Sequence, residues 1–517
     1  MASEWYFGPP VVPPAADLHA IGAGLGTGRS LGAMTVYLVG AGPGDPGLIT
    51  RRGADLLARA DVVVHDRLPA VELLDLAPGA ERVDVSGRPG HPLVSQEELN
   101  QMLVDLGRRH EVVVRLTGGD PFVFARGGEE AAALTAAGVA WEAVPGVSSV
   151  TAVPAYAGIP ITQGLSSTSF TVVSWNEDPD VGEEGPVDWD AVARVGGSIV
   201  VLMGVGRIEA ICERLMAAGR SPDTPAAAVQ WGTRPDQKTI RATLATLPST
   251  VLGTPSTIVI GAAAGLDLAW FETRPLFGKT IVVTRARAQA SGLVDRLATL
   301  GASVVEAPAI RIADPADGGQ ALRDAATRLG DFDWVVVTSP NGARRLLDAA
   351  RDARAFGSAR VAAIGPGTAA ALLDGNVLAD FVPQRFVAEG LLEEFDDGPG
   401  RVLIARAAVA RDALPAGLRA KGWVVEVAEA YRTEPESFDP ATIEAIGSAD
   451  LVTFTSSSTV TNFLEAASAD AMPSIVAAIG PITAQTARDA GLTVDIEAIE
   501  HSIEGLVAAV VGHFGRG

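Results

Sequence analysis

Two glycine-rich turns stand where apolar strands give way to helices, and they are the first segments able to hold a small molecule. One is Gly40-Ala41-Gly42-Pro43-Gly44-Asp45-Pro46-Gly47, directly after Val36-Tyr37-Leu38-Val39. The other is Gly118-Gly119-Asp120-Pro121-Phe122-Val123, directly after Val112-Val113-Val114-Arg115-Leu116-Thr117. Open α/β sheets bind ligands at the carboxyl ends of their strands, and glycine lets a backbone approach the ligand closely there. The spacing argues against a dinucleotide: in a G-x-G-x-x-G pattern the third glycine would fall on Asp45. A plain strand-to-helix turn is the alternative for the first segment alone. Two such turns at strand ends favour a ligand loop.

The second half offers no nucleophile–base pair, metal-ligand cluster or phosphate loop. Its polar signals are three cassettes, each occurring twice in the same order. Val337-Thr338-Ser339-Pro340 returns as Phe454-Thr455-Ser456-Ser457, and Ile364-Gly365-Pro366-Gly367-Thr368-Ala369 as Ile479-Gly480-Pro481-Ile482-Thr483-Ala484. Ala388-Glu389-Gly390-Leu391 returns as Ile503-Glu504-Gly505-Leu506. Repetition of this kind implies two similar α/β lobes facing each other, and a cleft between lobes is a usual small-molecule site. By propensity alone the Thr-Ser turns also read as helix caps.

The elements carrying these segments belong to a chain of 517 residues, which is too long for one core. Strand, glycine turn and helix alternate from Thr35, so the fold class is α/β with a mainly parallel sheet. A second lobe is expected from about Gly158, with strands at Phe170–Val173, Ser198–Met203 and Thr257–Ile260. The pattern breaks around Phe271–Phe277, which divides the chain into 34–273 and 278–517. Residues 1–33 are rich in Pro, Gly and Ala without periodicity and read as a disordered tail, with Met34 a possible native start. The single cysteine, Cys212, excludes an internal disulfide and fits a reducing cytoplasm. The net charge of −22 opposes nucleic-acid binding, and no apolar run is long enough to span a membrane. A carboxylate-bearing substrate would therefore need arginines gathered locally.

Several motifs in order give the first half a resemblance: Val39 to Leu48, Asp61 to Leu68, Arg115 to Glu130, Val144-Pro145-Gly146-Val147-Ser148-Ser149, and Ala155 to Pro160. Together they resemble the uroporphyrinogen-III C-methyltransferase branch of the tetrapyrrole methylases. The resemblance implies a two-lobed fold with S-adenosylmethionine bound between lobes, and no metal. Matched by motif, the cofactor residues are Pro43, Gly118, Gly119, Asp120, Val123, Ser148, Ser149, Met203 and Gly232. Asp66 matches the family's proton acceptor, with a helix cap as the alternative, and Arg88 stands at its proton-donor lysine. Thr117, Ala125, Gln163 and Gly164 depart from the family's pattern, and lost cations there bear on substrate choice. A homodimer through this half is implied as well.

The paired cassettes, with Ala430-Tyr431-Arg432-Thr433, resemble uroporphyrinogen-III synthase over Gly278 to about Gly512. That family has two lobes, one built from both ends of the segment, and its substrate is hydroxymethylbilane. The resemblance makes Tyr431 the side chain placed to assist hydroxyl departure, with ring packing as the alternative. Thr338, Ser339, Thr368, Ser456 and Thr483 become the substrate-binding turns. Together the halves imply ring closure with inversion of ring D, then two methyl transfers to precorrin-2. The alternatives are a methylase acting on a later corrinoid, or a cofactor-binding module without catalysis.

Overall fold

The computed structural model describes residues 34–515 apart from 67–69, 88–93, 165–166, 176–186, 251–252, 286 and 468–471, and leaves aside the side chains of 287–291. The 1–33 tail and Arg88 lie outside the described residues. The chain divides into two compact units, one ending at Arg274 and the other running from Pro275.

The first unit contains two five-stranded sheets. β1 (Thr35–Gly40), β2 (Val62–His65), β3 (Glu81–Asp84), β4 (Val112–Thr117) and β5 (Ala140–Val144) form a wholly parallel sheet in the order β3-β2-β4-β1-β5. Its central strands are near-continuous apolar runs because both faces are covered. Along β1, Val36 and Leu38 pack with Leu99, Leu103 and Leu134, while Val39 packs with Leu56, Leu57 and Leu73 on the other face. This is the two-residue period of a strand satisfied twice.

The second sheet comprises β6 (Phe170–Ser174), β7 (Ser198–Leu202), β8 (Pro225–Gln230), β9 (Lys238–Thr243) and β10 (Ser256–Ile260), ordered β6-β7-β10-β8-β9. It departs from a mainly parallel arrangement, since only β6 and β7 pair in parallel. Met203, expected inside a strand, is the turn residue that follows β7.

The second unit repeats the parallel theme. β11 (Thr280–Val283) and β12 (Ser303–Glu306) begin one sheet. The chain then builds another from β13 (Ile310–Ala313), β14 (Trp334–Val337), β15 (Arg360–Ala363), β16 (Gly400–Ala407) and β17 (Trp423–Pro435). It returns to complete the first with β18 (Leu451–Phe454), β19 (Ile475–Ala478) and β20 (Ile496–Glu497). The orders are β12-β11-β18-β19-β20 and β13-β17-β16-β14-β15. One lobe is therefore assembled from both ends of the unit. Where the chain leaves and re-enters, the Glu436 N–H donates to Ala309 O at 3.2 Å, and β13 pairs antiparallel with β17. Among the described residues no helix is long and apolar enough to cross a membrane.

Each unit carries its own apolar cores, such as Ile199, Ile211, Leu215 and Ile258 in the first and Val337, Leu346, Leu372 and Leu403 in the second. Residues 34–274 and 275–517, produced separately, should each show native-like circular dichroism and a cooperative thermal transition. A fragment with secondary structure but no cooperative transition would show that its own cores do not suffice.

Candidate active site

The loops that follow β1, β4 and β5 meet backbone to backbone. Gly42 N–H donates to Gly119 O at 3.2 Å, and Gly119 N–H to Gly42 O at 2.8 Å. A Cβ on Gly40 would lie 2.5 Å from Gly119 O, and one on Gly146 only 2.1 Å from it. No side chain fits at either position. Asp120 closes the arrangement: Oδ1 accepts from Phe122 N–H at 2.8 Å and Oδ2 from Gly146 N–H at 3.0 Å. Its carboxylate is thus a clip between two loops.

These loops form one wall of a cavity of about 770 Å³. Pro43, Gly118, Gly119, Asp120, Val123, Ser148 and Ser149 line it from the first sheet, and Met203 and Gly232 from the second. All the loop positions matched by motif are therefore brought together. Trp175 and the Thr254–Thr257 segment also line it, and no sequence motif pointed to them; Trp231 lines it too, beside Gly232 in the motif Trp231-Gly232-Thr233. Phe124 (φ 52°), Met203 (φ 53°) and Trp231 (φ 50°) line the cavity, and Thr233 (φ 72°) follows directly. With Asn376 they are the non-glycine residues of positive φ among those described. Such conformations cost of order 1–3 kcal/mol each and gather where a site holds them in place.

Asp45 joins the loop after β1 to the β8–β9 loop of the second sheet and to the helix Ser149–Tyr156. Its N–H donates to Thr233 Oγ1 at 3.0 Å, and its Oδ2 accepts from the Tyr156 hydroxyl at 2.7 Å. Burial first, and then Asp45, push the Tyr156 phenol well above its ordinary pKa, so it remains a donor at neutral pH.

Asp66 directly follows β2, which runs beside β4 with Val64 paired to Arg115. Its Oδ2 accepts from Arg115 Nη2 at 2.9 Å, and Arg115 Nε donates to Glu130 Oε1 at 3.0 Å. The Asp66 side chain is 38% exposed, against 5% for Arg115 and 2% for Glu130. The helix that begins at Val71 takes Ala70 as its N-cap, so Asp66 does not cap it. Motif matching passed over Arg115 and Glu130 as site residues. The available signal was a charged residue inside a strand otherwise made of Val, Leu and a final Thr.

In the second unit every substrate-binding candidate lies at a strand end or a helix start. Ser339 caps Pro340–Ala349 by accepting from Gly342 N–H at 3.0 Å, and Ser456 caps Ser457–Ala466 by accepting from Thr459 N–H at 3.3 Å. The Thr338 N–H donates to Ala405 O at 3.3 Å. Thr368 and Thr483 are buried in the first turns of Pro366–Asp374 and Pro481–Asp489. Tyr431 is buried with Val337, Leu403 and Ala428. Phe386 and His501 occupy matching places in the two lobes: a Cβ on Gly365 would lie 3.1 Å from Phe386 Cβ, and one on Gly480 2.8 Å from His501 Cδ2. Burial first, and then the positive charge of Arg344, lower the pKa of Arg285, which follows β11. Arg344 belongs to the helix after β14, in the other sheet of this unit.

A two-sheet α/β unit with loops closed over one cavity, followed by a duplicated two-lobe α/β unit, defines a two-part small-molecule enzyme. Residues 35–248 match the model of the tetrapyrrole (corrin/porphyrin) methylases, and 291–508 that of uroporphyrinogen-III synthase HemD. The porphyrin biosynthesis protein HemD of Ruminiclostridium josui is 35% identical over 472 residues, covering 88% of this chain and 93% of that protein. The S-adenosyl-L-methionine-dependent uroporphyrinogen III methyltransferase of Methanosarcina barkeri is 46% identical over 215 residues, 41% of this chain and 84% of that protein. Among solved structures, the uroporphyrin-III C-methyl transferase of Thermus thermophilus complexed with S-adenyl homocysteine is 39% identical, with 44% of this chain and 98% of that one covered and a TM-score of 0.38. The chain belongs to the family that joins a tetrapyrrole methylase to a uroporphyrinogen-III synthase, and it is an enzyme of tetrapyrrole biosynthesis with a methyltransferase half and a synthase half.

Because a methyl at position 146 meets a backbone oxygen, Gly146→Ala should destabilise the first unit by about 1–3 kcal/mol. Urea unfolding of residues 34–274 measures this. Unchanged stability would mean that the three loops can part without cost.

Proposed function

We propose that residues 278–517 close hydroxymethylbilane to uroporphyrinogen III with inversion of ring D, and that residues 34–273 methylate that product twice to precorrin-2. The observation that carries the methylase reading is the convergence of the motif-matched loops on one cavity. The cavity fits S-adenosylmethionine, which supplies a methyl group on a positive sulfonium. Its glycine turns bring backbone groups to the wall, and the half-exposed Met203 offers polarisable sulfur. The carboxylate of Asp120 is already engaged by two amides, leaving its loop fixed before any ligand arrives. Cofactor dependence in the Methanosarcina barkeri relative supports the same reading.

Asp66 is the group we assign to the ring proton. Methylation of a pyrrole carbon places charge on the ring, and a carboxylate at the exposed end of β2 can take or stabilise the proton that must leave. Arg88 is proposed as its partner by motif. In the synthase half, the substrate forms a reactive azafulvene once its hydroxyl departs, so the protein's task is to hold one folded conformation. Capped turns at Thr338–Ser339 and Ser456, with Thr368 and Thr483 packed beneath the paired loops, make those strand ends rigid enough for that task. Tyr431 is proposed to assist hydroxyl departure. The enzyme is proposed to work in the cytoplasm as a homodimer through the methylase half. Thr117, where the family's pattern has a lysine, favours one second reading: methylation of a later corrinoid.

Hydroxymethylbilane supplied with and without S-adenosylmethionine tests both halves by product mass and isomer ratio. Type III uroporphyrinogen should form without the cofactor and precorrin-2 with it. Type I alone would end the synthase assignment, and type III that is never methylated would end the methylase one. Asp66→Asn should lower methyl-transfer kcat by roughly 10²–10⁴-fold with little change in cofactor affinity. Tyr431→Phe should slow ring closure only in part and keep the type III product. An unchanged rate would return Tyr431 to packing.

A further inference from the structure

We propose that Glu130 is a positioning residue for methyl transfer, holding the buried Arg115 guanidinium so that Arg115 presents Asp66 in one orientation. This rests on the reading that Asp66 handles the ring proton.

Arg115 lies within β4 between residues that are fully buried, Val114 and Leu116. Its planar fork is engaged along its length. Nε donates to Glu130 Oε1 at 3.0 Å, Nη2 to Asp66 Oδ2 at 2.9 Å, and Nη1 to Leu116 O at 3.3 Å. A guanidinium held at Nε and at both terminal nitrogens cannot turn about its own plane, which is the property that separates Arg from Lys. The carboxylate on Nη2 is then fixed in direction as well as distance.

Structural economy does not account for Glu130. One guanidinium and one carboxylate already balance, and Glu130 adds a second carboxylate at 2% exposure. Among the described residues its Oε2 has no hydrogen-bond partner. Burying an extra carboxylate and leaving an oxygen unpaired both cost stability. Asp66 is the partly exposed member, so any effect of the other two on a reacting ring must pass through it. Burial works against the charged form of Arg115, but Glu130 and then Asp66 outweigh it and raise its pKa. Arg115 therefore keeps its proton and serves as a fixed bracket rather than as an acid.

The test is a double-mutant cycle on the full chain with uroporphyrinogen III and S-adenosylmethionine. Glu130→Gln keeps shape and removes charge. It should lower kcat roughly 10- to 100-fold, as misplacement of a reacting group does. Affinity for S-adenosylhomocysteine by calorimetry should stay within about twofold, because Asp66 and not the cofactor loops is disturbed. In the Asp66→Asn background the same change should alter kcat by less than about twofold, since nothing is left to position. Glu130→Asp, which retains the charge but shifts the anchor, should behave the same way and serves if Glu130→Gln does not fold. Equal slowing by Glu130 variants in both backgrounds, or wild-type kcat with only lost thermal stability, would overturn the proposal. A wild-type chain that does not methylate uroporphyrinogen III, or Asp66→Asn at wild-type rate, would instead overturn the parent reading and this one with it.

Discussion

The first unit depends on three strand-end backbones standing closer than any side chain allows. Gly40 and Gly146 are needed because each would drive a Cβ into the other's backbone and into Gly119 O, whereas Gly119 is needed for its φ of 70°. The parallel sheet brings β4, β1 and β5 side by side with their carboxyl ends together. Glycine at each exit then lets the loops close on one another rather than splay. Asp120 makes the closure directional by accepting from the amides of Phe122 and Gly146. The cavity wall is thus set by main chain, which has few ways to rearrange. Gly232 extends the same logic to the second sheet, where a Cβ would lie 2.3 Å from Val153 Cγ1.

Among the described residues Asp120 is the charged one that lines the cavity, while Asp45 and Asp66 stand outside its lining, and each of the three has a separate task. Asp45 ties the loop after β1 to the second sheet through Thr233 and to the end of the helix Ser149–Tyr156 through Tyr156. Asp120 ties two loops of one sheet. Asp66 alone among these carboxylates is held by a buried cation at the sheet's open end. A chain of net charge −22 thereby places Arg115 where solvent cannot screen it, and local pairing outweighs the global field.

Much of this was legible in the sequence, and the failures have physical causes. Strands such as Val62–His65 and Val112–Thr117 were readable because burial on both faces leaves continuous apolar runs. The β8 strand Pro-Ala-Ala-Ala-Val-Gln was not, because alanine favours helix and only its sheet neighbours make it extended. β9, Lys-Thr-Ile-Arg-Ala-Thr, is a polar edge with no apolar signal. Loop glycines could be read from their place after strands. Trp175 and Pro255 reach the same cavity from the second, mixed sheet, where no local motif marks them. The Asp66–Arg115–Glu130 group needs β2, β4 and the helix Gly127–Ala136 placed together, which is tertiary information.

The second unit reaches order at its strand ends by a different route. The first unit relies on glycine contacts between loops, whereas here β14, β15, β18 and β19 each pass into a helix whose start is fixed by a side-chain cap or by proline at the first position. Duplication explains why the same solution appears in both lobes, down to Gly365 under Phe386 and Gly480 under His501. The replacement of an apolar ring by an imidazole at equivalent places shows where the two lobes have stopped being equivalent. For the linear, asymmetric substrate proposed for this half, that inequality is one means of telling its two ends apart. The two lobes thus keep the same kind of helix start, by cap or by proline, and differ in the ring packed against the glycine that precedes it.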